Sequence, residues 1–209
     1  MTVLSKGQRQ ALTDFREAEI LDAARKVFGE KGFASATVDM IAAAAGVAKG
    51  TLYLYYESKD AIFWAALTSR FREMMERTKR AVAEEADTKA KILAMLRVRF
   101  DSFRADEQFV RMFVTEFGLL CRAKDGPMHE LYVEGAELVA TVLREGMAAG
   151  ALRVLPPMET ALALMEMVKG VFTMRFSGVP GLQEDFDGAS FVFDLFWNGV
   201  RPGKEESHA

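Results

Sequence analysis

Cysteine is nearly absent from this 209-residue sequence, and so is histidine. The lone thiol, Cys121, excludes an intrachain disulfide and agrees with a reducing, cytoplasmic setting. The two imidazoles, His129 and His208, do not supply the convergent acid, base and nucleophile groups of an enzyme. There is no serine elbow and no GxxxxGKS/T phosphate loop. Cys121, Asp125 and His129 recur every fourth residue, but Gly126-Pro127 interrupts the helix that would align them. Neither a metal site nor a cofactor is therefore expected. Long apolar runs are missing too. The most apolar helix, near residues 161–176, is broken by Glu166, Lys169 and Arg175, and no run reaches the roughly 18 residues of a membrane span. The opening MTVLSKGQRQ lacks the apolar segment of a secretory leader. Strand-like alternation is absent, so the chain reads as all-α. The last absence is an excess of positive charge. The net charge is −3, and residues 1–60 hold eight basic and eight acidic residues. A nucleic-acid binder usually carries a basic domain average; here the placement of a few cations has to supply it.

What is present is a stretch from Thr37 to Lys59, TVDMIAAAAGVAKGTLYLYYESK, that reads as two short helices joined by a tight turn. Val38, Ile41, Ala42 and Ala45 recur at helical spacing and form one inward stripe. Thr37 precedes that stripe, where its hydroxyl can accept from the first-turn amides. Gly46 supplies the left-handed backbone that ends the helix, and Val47 plugs the turn. A second helix is predicted over about Ala48 to Tyr53. Two helices meeting through so short a turn form a helix-turn-helix, and the second one enters a major groove. Lys49 can donate to guanine O6 and N7. Gly50 lets the backbone approach base edges. Thr51 offers a hydroxyl for phosphate and a methyl for thymine. Tyr53 and Tyr55 can send hydroxyls to phosphate, although packing explains Tyr55 equally well. Leu52 and Tyr56 point to the core. Ser58 caps the next helix, and Lys59 with the amides there can hold a phosphate. With Thr37, the expected DNA-contacting set is Thr37, Lys49, Gly50, Thr51, Tyr53, Tyr55 and Lys59.

These pieces together resemble the TetR family of transcriptional regulators. They are Thr37-Val38 with Ile41-Ala42, Ala45-Gly46-Val47, Lys49-Gly50-Thr51-Leu52-Tyr53, Tyr55-Tyr56, and Ser58-Lys59 before Phe63. The close likeness covers roughly residues 14–64. Two positions depart from the pattern. Ala48 stands where a capping Ser or Thr is frequent, a loss of about 1 kcal/mol. Glu57 stands where a neutral or basic residue is frequent. The resemblance implies a DNA-binding domain over residues 1–60, a helical ligand-binding and dimerisation domain over 61–203, and a charged tail over 204–209.

Around that stretch, residues 1–13 read as a polar arm, either disordered or adding Lys6 and Arg9 to DNA. A bracing helix follows from Thr13 or Asp14 to Glu30, with Ile20, Ala24, Val27 and Phe28 on one face. Gly32 ends it. Further helices are predicted over about 58–85, 88–104, 106–123, 128–149, 157–176 and 185–200, with Gly178, Pro180 and Gly181 in a loop. The first of these is expected to link the two domains mechanically. Phe100, Phe103, Phe109, Met112, Phe113 and Phe117, with Met165, Phe172 and Phe176, read either as plain core or as the wall of a pliable cavity. The family likeness implies an inducer pocket there. Phe103, Phe113, Phe117, Met165 and Phe172 are its expected lining, with Arg175 or His129 orienting a polar group. The last two helices are apolar on more than one face, which suits burial against a second copy; the family uses such a homodimer.

The expected function is a homodimeric repressor on a palindromic double-stranded operator, with half-sites about 34–36 Å apart or a multiple. An apolar or aromatic small-molecule effector would favour a subunit geometry with the wrong spacing and release DNA. The alternative is a helical small-molecule carrier without DNA-dependent function. Membrane association through the final helices is set aside, because dimer burial explains them better.

Overall fold

The computed structural model describes residues 5–120, 126–175, 179 and 187–202; of residues 115–120 and 175 it describes the backbone. Among the described residues all regular structure is α-helical. The helices are α1 (Lys6–Ser35), α2 (Val38–Ala44), α3 (Lys49–Tyr55), α4 (Lys59–Ala83), α5 (Thr88–Ala105), α6 (Glu107–Leu120), α7 (Pro127–Ala148), α8 (Pro157–Arg175) and α9 (Gly188–Val200). None of them is long and apolar enough to cross a membrane.

The chain packs as two units. One comprises the chain up to Phe71 together with Asp106–Met128, the other Arg72–Ala105 and the chain from His129 onward. The packing boundary thus lies inside α4, beyond the residue-60 boundary expected from the sequence. The first unit also recruits α6, which packs along α1. A Cβ on Gly29 would come within 2.9 Å of the Gln108 Cα, so glycine is what lets these two helices approach. Asp106 secures the start of α6. Its Oδ1 accepts from the Phe109 N–H at 2.9 Å, and its Oδ2 lies 3.6 Å from Arg25 Nε and 3.4 Å from Arg70 Nε. No sequence rule pairs helices so far apart in the chain, and this one went unforeseen.

Helix α1 starts well before the predicted Thr13. Ser5 and Gln8 form a reciprocal capping box, in which the Gln8 N–H donates to Ser5 Oγ and the Ser5 N–H to Gln8 Oε1. The region read as an arm is therefore helical from Lys6, although Leu12 and Phe15 stay exposed. The chain kinks at Gly32, whose φ is +74°, and Phe33 folds back onto Phe28 and Phe63. Ile20, Ala24, Phe28, Ile41, Leu52, Ile62, Phe63 and Leu67 make the buried centre of this unit. Phe71, Phe109 and Phe113 form a second aromatic group within it.

The second unit buries Met74, Ile92, Leu96, Leu143, Leu164 and Val168 among others. Asp87 caps the start of α5, its carboxylate accepting from the Ala90 N–H. Asp187 caps α9 in the same way through the Ser190 N–H; the helix starts at Gly188, three residues later than predicted. Phe172 brings its ring against both Phe100 and Phe103, with centroids 4.7 and 4.4 Å away. Cys121, Asp125, Phe176, Gly178, Pro180, Gly181 and His208 lie outside the described residues.

Candidate nucleic-acid interface and effector cavity

The local chemistry of residues 37–59 builds a helix-turn-helix from its caps inward. The Met40 N–H donates to Thr37 Oγ1 at 3.2 Å, which starts α2. At its end the Val47 N–H reaches the Ala42 carbonyl and the Gly46 N–H the Ala43 carbonyl. That crossed pair is a Schellman turn, and it needs the positive φ of 65° at Gly46. Helix α3 then runs from Lys49 to Tyr55, two residues beyond the predicted end. Its N-cap, Ala48, gives no side-chain cap. The helix is held instead by Leu52, which is fully buried, and by Tyr56 just after it. The Tyr56 hydroxyl donates to Glu17 Oε1 on α1 at 3.0 Å. Burial pushes this phenol well above the ordinary tyrosine value, and the bond to Glu17 pushes the same way.

With Leu52 and Tyr56 turned inward, the other face of α3 is left to solvent. Lys49, Gly50 and Tyr53 are exposed there, while Thr51 and Tyr55 are half-buried. A Cβ on Gly50 would meet no protein atom within 4 Å, so nothing inside the chain requires a glycine at that point. Leu54 is 84 % exposed, an apolar side chain on the outer face that sequence reasoning passed over. Lys49 Nζ lies 2.9 Å from Asp39 Oδ2. That hydrogen bond raises the lysine pKa above its ordinary value. Lys59 has a different setting. Its ammonium donates to the carbonyls of Phe33 at 2.8 Å and Ala36 at 3.1 Å, and sits 4.4 Å from the Phe33 ring centroid. Ser58 Oγ accepts from the Ala61 N–H at the head of α4. The structure thus brings Thr37, Lys49, Gly50, Thr51, Tyr53, Tyr55 and Lys59 into one helix-turn-helix, with Lys59 fastening its frame.

In the second unit, α4, α5, α7 and α8 surround a cavity of about 380 Å³ counting its open mouth. Met75, Met95, Leu96, Leu164, Met165 and Val168 give it apolar walls. Its enclosed part has room for about one water molecule. Arg99 also lines it. Burial draws the guanidinium pKa below the ordinary arginine value, opposed by Tyr132. Of the expected pocket residues, Met165 lines this cavity, while Phe103 and Phe172 pack on each other in the same unit. Phe113 belongs to the other unit, against Phe71. His129 is exposed at the start of α7. The side chains of Phe117 and Arg175 lie outside the described ones. Arg99 was not singled out from the sequence. The available signal was a cation inside the stripe Ile92, Met95, Leu96, Phe100, Phe103, where most neighbours on that face are apolar.

Known proteins place this arrangement. The family profile of bacterial regulatory proteins of the tetR family matches residues 20–66, which hold α2 and α3. The chain is 29% identical over 139 residues to the HTH-type transcriptional repressor KstR2 of Rhodococcus jostii, spanning 66% of this chain and 68% of that one. It is 27% identical over 138 residues to the fatty acid metabolism regulator protein of Bacillus subtilis, spanning 65% and 70%. Its fold matches that of the transcriptional regulator FadR from Bacillus subtilis, solved in complex with stearoyl-CoA. That match has a TM-score of 0.75 at 23% identity and covers 88% of this chain and 99% of the other. The capped turn at Gly46, the outward face of α3 and these likenesses lead to one conclusion: residues 20–66 form a DNA-binding domain of the tetR family, and the chain is a DNA-binding transcriptional regulator.

Proposed function

We propose that this regulator is a homodimeric repressor that leaves its operator when a small apolar effector binds the second unit. The observation that carries the reading is the outer face of α3. Lys49, Gly50 and Tyr53 are exposed there, on a helix fixed from behind by Leu52 and Tyr56. Gly50 has open space where a side chain would stand, which suits close approach by a base edge. In this reading Lys49 and Thr51 contact bases, Tyr53 and Tyr55 contact phosphates, and Thr37 and Lys59 order the backbone that faces the duplex. The repressor sense is supported by the name of the Rhodococcus relative. The apolar effector is supported by the fatty acid regulator and by the stearoyl-CoA bound to the solved neighbour. Dimerisation through α8 and α9 is supported by Leu195, which is 52% exposed, and by Gly170 and Gly199, where an added Cβ would meet nothing within 4 Å.

The test starts from a palindromic duplex selected with the purified protein. Lys49→Ala should weaken binding about fivefold to a hundredfold, since a good base contact contributes about 1–3 kcal/mol, and Tyr53→Ala, which removes a phosphate contact, should weaken it by a smaller factor. Helicity and sedimentation should stay as in the parent. Undiminished affinity in both variants would overturn the assignment of α3 as the reading helix. Leu195→Glu should shift the sedimenting species towards the monomer.

A further inference from the structure

Arg99 stands apart from the paired cations of its unit. Arg77 donates to Ser102 Oγ at 3.1 Å, Lys79 is paired with Glu76 and Glu134, and Lys91 with Glu145. Arg99 has neither a hydrogen-bond nor an ion-pair partner among the described residues. It is nonetheless drawn into the wall of the cavity. Its Nη2 lies 4.0 Å from the point where a Cβ on Gly135 would stand, beside the terminal methyl of Met75. The other polar side chain on the lining, Thr78, already spends its hydroxyl on the Met74 carbonyl at 2.8 Å. The cavity therefore offers one cation and no carboxylate among largely apolar walls.

Arg99 is half-buried, and a guanidinium partly withdrawn from water beside apolar walls gains when an anion pairs with it. Its planar fork fits a carboxylate in a two-bond arrangement. We propose that this cavity takes a small apolar molecule bearing a single carboxylate, with Arg99 as its counter-ion and the methionines as its adjustable walls. The proposal rests on the effector reading above and names the chemical class of that effector. One positive charge on the lining matches one negative charge on the ligand; a dianionic phosphate would leave the site with an uncompensated charge. The enclosed space holds about one water molecule, far below ligand pockets of roughly 300–1,000 Å³, so binding requires the walls to move apart. Met75, Met95 and Met165 have the rotational freedom to widen it around an acyl or aromatic body.

The experiment is calorimetric titration of the full chain with decanoate, decan-1-ol and decyl phosphate. Decanoate should bind about tenfold or more tightly than decan-1-ol. In Arg99→Met that preference should fall to within about twofold, and Arg99→Lys should keep part of it. Equal affinity for the acid and the alcohol in the parent protein overturns the proposal, whether or not Arg99→Met folds. So does an undiminished preference in Arg99→Met, tighter binding of decyl phosphate, or no binding of any of the three. Operator affinity of the ligand-free protein is measured beside these. Intact operator binding with no acid preference removes this proposal and leaves the regulator reading in place. Acid preference with no operator binding does the reverse.

Discussion

In the unit that carries the helix-turn-helix, Lys59 turns inward and gives its ammonium to two carbonyls and the face of Phe33. In the other unit Arg99 turns inward to methionines and leucines and keeps its donors. The same kind of residue is used in opposite ways. Around Lys59 every acceptor is already part of the chain, so the charge tightens the junction of α1, α2 and α4. Around half-buried Arg99 no carboxylate lines the wall, so the charge is left for water or a ligand to answer. A unit that must present α3 in a fixed pose gains from the first arrangement. If the second unit answers to a small molecule as proposed, it gains from the second, since pairing the guanidinium becomes part of the binding energy.

That contrast can be broken by experiment. The largest effect is expected from Leu52→Ala, which empties the fully buried anchor behind α3. It should cost about 2–5 kcal/mol in a urea melt and abolish operator binding. Next comes Lys59→Met, which leaves the Phe33 and Ala36 carbonyls without their donor. A loss of about 1.5–3 kcal/mol is expected. Arg99→Met should leave the melting temperature unchanged or move it upward, because a half-buried charge without a counter-ion is replaced by an apolar side chain of similar length. If both substitutions destabilise, the contrast between the two cations is false. Gly50→Ala sharpens the picture from the DNA side. It should stabilise the fold by about 0.5–1 kcal/mol, since alanine suits a helix better and the site is open. Operator affinity should nevertheless fall, because the added methyl projects towards the duplex.

The smallest effect lies at alkaline pH. Tyr56 has its pKa raised in the fold by burial and by Glu17, whereas an unfolded tyrosine ionises near pH 10. Above about pH 10 the unfolded chain loses this proton while the folded chain keeps it, so stability falls as pH rises towards the folded value. Tyr56→Phe should lack this slope. Denaturant midpoints for the two proteins between pH 9 and pH 11, read as a difference, are the check.

Most of the helix-turn-helix was readable because its rules are local. Thr37, Gly46 and Ser58 act on backbone groups within five residues, and Leu52 and Tyr56 sit at helical spacing on the buried side. The early start of α1 was also local, yet it was missed. Ser5 and Gln8 spell a capping box, but the turns that follow carry no inward stripe to draw attention to it. The partnership of α6 with α1 depends on Gly29 and Gln108, which are far apart in sequence and individually unremarked. The pocket reading failed to separate units for the same reason. Phenylalanine spacing shows which face of a helix is buried, not against which helix, so Phe113 was grouped with Phe103 and Phe172. Arg99 was visible as an exception in an apolar stripe, but only the cavity shows that nothing answers its charge.

One feature of α3 bears on how such a protein finds its site. Lys49 is already bonded to Asp39, so this pair presents no net charge to a duplex. It displaces few of the sodium or potassium ions condensed on the DNA, and the slope of log affinity against log salt loses about 0.9 for each cation neutralised in this way. Loose, sequence-blind attachment to the chromosome is correspondingly weak. If α3 reads the operator as proposed, the protein spends less of its search time parked on irrelevant DNA, and a matching guanine has to win Lys49 from Asp39 before it is read.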